Sequence, residues 1–174
     1  MARIPYADPS RPEIAALAER ITRERGGRML NLYRMLLNSP PVAEGWLTLF
    51  TAIRQKAKLA DRYRELATLR VAVINGADYE FQAHIPFALK AGVTQAQIDE
   101  IRAGRNPAGL EPVDLAVLDY TESMTRSIRV DDATFKRIRE HFDEQEIVEL
   151  TATIAGYNLV SRFLEALHID HDSH

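Results

Sequence analysis

The chain has 174 residues, 46% of them apolar, which suits one ordinary domain with a core large enough to hold without covalent staples. Charged residues make up 27% and the formal net charge is −3, so no basic field holds nucleic acid, and no segment approaches the roughly 18 apolar residues of a membrane span. The cysteine count is zero, which excludes disulfides, thiolate metal sites and thiol redox chemistry, and Met1–Pro12 lacks the apolar run of a leader, so a cytoplasmic location is expected.

Ser10, Pro12 and Glu13 predict a helix start, and Ile14, Leu17 and Ile21 recur at helical spacing until Gly26-Gly27, giving an N-terminal helical extension over about 10–27. Met29 to Leu37 forms a second apolar run, stopped at Asn38-Ser39-Pro40-Pro41, and the prolines suit the opening of a third helix carrying Trp46, Leu47, Phe50 and Ile53. Tyr33, Trp46 and Phe50 read as core or interface aromatics. Asp61 predicts the cap of a fourth helix through about Ile74, closed by Asn75-Gly76. Asp78 caps a fifth helix, from Tyr79 to about Ala91. Thr94 with Gln97 makes a capping box for a short sixth, ended by Gly104. Three more helices are expected near Pro112–Ser127, Asp132–His141 and Glu144–Leu167, and residues 169–174 read as a frayed tail in which His168, His171 and His174 are no metal site. The expectation is a single all-α domain over 1–174, a compact antiparallel helical bundle.

Chemistry concentrates between Arg64 and His84. Glu65 precedes Leu69 by four residues and Val73 by eight, placing a carboxylate on or beside a core-facing stripe, where it needs a partner. Glu80 and His84 are four apart and share a helix face, so acid and imidazole can meet. The turn Asn75-Gly76-Ala77-Asp78 folds the second helix beside the first, which lets Glu65 approach His84. A nearby carboxylate keeps an imidazole protonated near neutrality, the condition of a general acid. Pro86 inside this helix predicts a kink or a freed acceptor beside His84. Arg54, Arg62, Arg64 and Arg70 are the cations at hand for an anionic substrate, but their positions read mostly as solvated surface charge.

The order Arg64-Glu65, Asn75-Gly76, Tyr79-Glu80, His84 and Ala91-Gly92-Val93, with a short helix after Thr94, resembles the carboxymuconolactone decarboxylase and alkylhydroperoxidase D-like family. The stretch Ala155 to Leu164 resembles a late helix of the same family. The resemblance implies that family's helical bundle and a homo-oligomer, whether dimer, trimer or hexamer. In the peroxidase branch a Cys-x-x-Cys pair stands where this chain has Ala77 and Glu80, so peroxidase and disulfide-reductase activity are excluded. The decarboxylase-like branch implies His84 as general acid, Glu80 or Glu65 orienting and charging it, and Tyr79 as a secondary candidate. A small carboxylated lactone or unsaturated acid is the implied substrate, and neither cofactor nor metal is called for. A non-catalytic small-molecule-binding protein that lost its thiols is the alternative.

Overall fold

The computed structural model describes residues 1–172 and contains nine α-helices and one π-helical turn among them, with no strand. Ser173 and the expected tail residue His174 lie outside the described residues. The helices are α1 (Ala15–Glu24), α2 (Asn31–Leu36), α3 (Pro40–Thr51), α4 (Asp61–Asn75), α5 (Asp78–Lys90), α6 (Gln95–Arg102), α7 (Pro112–Ser127), α8 (Asp132–Arg139) and α9 (Glu144–Leu167). No helix among the described residues is long and apolar enough to cross a membrane.

Two compact units divide the chain: Met1–Lys56 with Leu164–His174, and Ala57–Phe163. In the first, α1 and α2 pack on α3, and Ile14, Ile21, Leu36, Leu37 and Leu47 are buried to 2% exposure or less. Tyr33, Trp46 and Phe50 are buried here, as expected of core aromatics. Three boundaries differ from expectation. Residues 9–14 form turns instead of a helical start, because Ser10 Oγ donates to Asp8 Oδ1 and leaves the first helix to begin uncapped after Ile14. Ala52–Lys56 continues α3 as a π-helical turn, which nothing in the sequence marks. Residues 169–172 do not fray: Ile169 is buried, Asp170 Oδ2 accepts from Tyr6 Oη at 2.9 Å, and Asp172 Oδ1 accepts the Asn31 backbone N–H at 2.6 Å. A polar segment with that many partners is held despite its composition.

The second unit is built around α4, which packs on α5, α6 and α7, with α8 against α7. Leu66, Ala67, Leu69, Val71 and Ala72 along α4 are essentially inaccessible, so this helix is core on most of its circumference. Asp61 and Asp78 each stand one position inside the helix they were expected to cap, after Ala60 and Ala77. The Thr94–Gln97 capping box at the start of α6 is present in both directions. Between α4 and α5, Gly76 takes φ +67°, and Gly76 and Ala77 donate to Val73 and Ala72 carbonyls. This is a Schellman ending, in which the left-handed residue caps the last turn and allows the tight reversal to α5.

Candidate functional site

Two adjacent helices position the polar cluster. Because α4 is buried nearly all round, a charged residue on it cannot reach water and must be satisfied by neighbours. Glu65 is 0% exposed, and its two oxygens are shared between a guanidinium and an imidazole: Arg64 Nε donates to Oε1 at 3.0 Å, and His84 Nδ1 lies 2.6 Å from Oε2. Arg64 is itself 7% exposed and its Nη1 donates to Asp61 Oδ1 at 2.7 Å. Burial works against its charge, but Glu65 and Asp61 outweigh burial and hold the guanidinium above its ordinary range. The surface reading fails for Arg64 and Arg70, while Arg54 and Arg62 are partly exposed. Arg64 and Arg70 are both buried, Arg70 donating to Arg105 O and Asn106 Oδ1, and Arg62 pairs with the buried Asp114 through both Nε and Nη2. The guanidinium planes satisfy backbone and carboxylate acceptors that a helix-rich core would otherwise leave bare.

His84 comes from α5, whose chain continues through Pro86 to Lys90. The imidazole is 5% exposed and meets the Tyr157 ring of α9 edge-on at 4.9 Å, with Phe87 at 5.7 Å. Phe87 is 43% exposed, so one side of the histidine's aromatic surround reaches the surface. With a carboxylate 2.6 Å from Nδ1, the proton in the neutral ring is assigned to Nδ1, and Nε2 is the ring nitrogen turned away from that carboxylate.

Glu80 was expected to meet His84 across one helical turn. The Ser161 hydroxyl of α9 donates to Glu80 Oε2 at 2.5 Å, and the same hydroxyl lies 2.9 Å from the Tyr157 carbonyl. Glu80, at 2% exposure, thus ties α5 to α9, while Glu65 is the carboxylate that orients the imidazole. Tyr79 is buried at 8% exposure in the first turn of α5. Arg64, Tyr157 and Ser161 are site residues that sequence reasoning did not select. The late-helix stretch Ala155–Leu164 held the signal for the last two. Among the described residues no group of three or more His, Cys, Asp or Glu side chains is placed to hold a metal ion.

Comparison with known proteins bears on the chain's family and fold. Residues 40–123, which contain Glu65, Glu80 and His84, match the carboxymuconolactone decarboxylase family. The chain is 33% identical over 106 residues, 60% of its length and 72% of the relative's, to the uncharacterized protein YdfG of Bacillus subtilis (strain 168). Its fold is similar to that of an uncharacterized peroxidase-related protein with an alkylhydroperoxidase AhpD core from Ralstonia eutropha JMP134, at TM-score 0.84 and 18% identity, covering 99% of this chain and 93% of the other. It is also similar to a Cys-to-Ala variant of the debrominase Bmp8 in complex with 2,3,4-tribromopyrrole, at TM-score 0.82 and 16% identity, covering 99% and 95%. At such identities the structural likeness speaks for the fold alone. The helical fold and the match in sequence agree, and the chain belongs to the carboxymuconolactone decarboxylase family.

Proposed function

We propose that this protein is a proton-transfer enzyme of the decarboxylase type, acting on a small carboxylated lactone or unsaturated acid with His84 as its general acid. The observation that carries the reading is the buried Glu65–His84 pair, 2.6 Å apart, in a chain that has no cysteine with which to run the family's thiol chemistry. An imidazole whose Nδ1 is committed to a carboxylate presents Nε2 in a defined direction and protonation state, as acid–base catalysis needs. In the reaction, the bond between the substrate's ring carbon and its carboxylate breaks. Carbon dioxide leaves, the electron pair passes into the conjugated carbonyl as a dienolate, and His84 Nε2–H delivers the proton that restores the carbon. The ring then recovers its proton from solvent. The aromatic surround of Tyr157 and Phe87 suits a small planar ring, the size class of the 2,3,4-tribromopyrrole carried by the debrominase of like fold.

The test follows 4-carboxymuconolactone by ultraviolet absorbance and proton NMR, with wild type and His84→Ala in parallel. Release of carbon dioxide and appearance of the enol-lactone with wild type alone supports the reading. Saturable binding of the lactone with no turnover by either protein replaces it with a non-catalytic binding function.

A further inference from the structure

The mechanism uses Glu65 and His84 but leaves open what Arg64 does, although burying a guanidinium costs several kcal/mol in desolvation that its pairing must offset. Arg64 reaches the imidazole through the carboxylate they share. It holds the far oxygen of the same carboxylate, Oε1 at 3.0 Å, and is itself held by the exposed Asp61 at 2.7 Å. A line of alternating charge therefore runs from the surface to the ring: Asp61, Arg64, Glu65, His84.

We propose that Arg64 is a positioning residue that keeps Glu65 ionised and oriented in both protonation states of His84, so that the imidazole can give up its proton and take it back at neutral pH. The inference rests on the acid–base reading of His84. The argument is one of charge balance in a dry site. While His84 is protonated, Glu65 has the imidazolium for a partner. Once His84 has given up its Nε2 proton, the ring offers Glu65 only a neutral Nδ1–H in place of a cation, and a carboxylate at 0% exposure with that much less counter-charge would pull the proton back onto the pair. The Arg64 cation removes that penalty, because Glu65 stays paired after the transfer. Its fork also fixes which carboxylate oxygen faces Nδ1, hence which imidazole nitrogen faces the reactant. Of the other titratable groups, Tyr157 on α9 faces the ring edge-on at 4.9 Å, and Glu80 on α5 takes the Ser161 hydroxyl.

The test is nitrogen-15 NMR of the histidine side chains against pH, with His84 assigned by comparison with His84→Ala. In the wild type the neutral ring should carry its proton on Nδ1; a neutral ring protonated on Nε2 overturns the proposal without any variant. In Arg64→Gln, the proton shared by Glu65 and His84 should be lost at a midpoint at least about 1 unit higher than in wild type, whereas Arg64→Lys, which keeps the charge, should stay within about 0.5 unit. A folded Arg64→Gln protein with an unmoved midpoint assigns Arg64 a merely structural role and overturns the inference. Should Arg64→Gln fail to fold, the tautomer and the Arg64→Lys midpoint decide. The readout needs no substrate, so it separates the two readings: a midpoint that moves as expected in a protein inert toward every lactone sinks the reaction and leaves the Arg64 role standing. Turnover that depends on His84, with a midpoint indifferent to Arg64, does the reverse.

Discussion

Each compact unit carries one network of arginine, glutamate and ring side chains, and the two differ in burial and in one residue type. In the first unit Glu24 accepts from Arg20 Nε at 3.0 Å and from Thr51 Oγ1 at 2.7 Å, while Arg25 donates to Tyr33 Oη and Thr51 Oγ1. Glu24 keeps 22% of its side-chain surface and Arg20 37%. In the second unit the carboxylate has 1% and the guanidinium 9%, and the ring is an imidazole where the first has a phenol. The half-exposed network ties helices together, and water stands by to replace any partner it loses. The buried one has no such substitute, and its ring is an imidazole, which can both give and take a proton, held 2.6 Å from a carboxylate. Position in a dry core, more than residue composition, is what turns an ion-pair network into a candidate for chemistry.

The largest effect expected from breaking this comparison is on turnover. His84→Ala should lower kcat on the proposed substrate by about two to four orders of magnitude with the helical circular dichroism retained, since a general acid contributes on that scale. Tyr33→Phe, which removes the ring hydroxyl of the first network, should leave kcat within about twofold, because that hydroxyl meets Arg25 and no reacting atom. Equal losses in the two variants would mean that the networks do not differ in kind.

Stability should divide the networks next. Glu65→Gln leaves the buried Arg64 without its main counter-charge and should cost on the order of 3 kcal/mol, read from urea midpoints. Glu24→Gln removes a half-exposed partner that water replaces, and should cost less than about 1 kcal/mol. Comparable costs would show that burial does not set the scale.

Much of the second unit was legible in the sequence because its local signals agree with its packing. Pro112 and Ser127 bound α7, and Glu144 and Leu167 bound α9, where turn residues and apolar periodicity placed them. Glu65 was legible from its place on an apolar stripe, and its meeting with His84 from the Asn75-Gly76 reversal. Arg64 was not. A charged residue one position from the stripe argues for solvent, and only the circumferential burial of α4 reverses that argument. The Glu80–Ser161 bond was not legible either, since it joins residues 81 apart with no local pattern linking them. In the first unit the Ser10-Pro12-Glu13 signal misled because Asp8 Oδ1 accepts both the Ser10 backbone N–H and its hydroxyl, an Asx-type turn that competes with a helical start.

Helix starts sharpen the contrast at a smaller scale. Thr94 accepts the Gln97 backbone N–H at 3.2 Å and the Gln97 side chain accepts the Thr94 backbone N–H at 3.1 Å, so Thr94→Ala should cost about 1 kcal/mol of the second unit's stability. Ser10→Ala should cost less than about 0.5 kcal/mol, because α1 begins at Ala15 and its cap residue Ile14 makes no side-chain cap bond. Thermal denaturation of the two variants against wild type checks the ranking.

The smallest expected effect is a pH dependence that belongs to the first network. The Thr51 hydroxyl, followed by the Arg20 guanidinium, holds the Glu24 carboxyl below its ordinary value in the folded chain, against the opposing pull of burial. A carboxyl lowered on folding stabilises the folded state fully above its unfolded value, roughly pH 4.3, and that contribution fades as pH falls through the lower folded value. Melting temperature should therefore fall with acidification below about pH 5 more steeply in wild type than in Glu24→Gln, with the two curves parallel between about pH 6 and 8. Thr51→Val should flatten the acid limb in the same direction, because it removes the leading cause of the lowered value. Parallel acid limbs in all three proteins would mean that Glu24 keeps the same proton affinity folded and unfolded, and that the exposed network differs from the buried one in its electrostatics as well as in its chemistry.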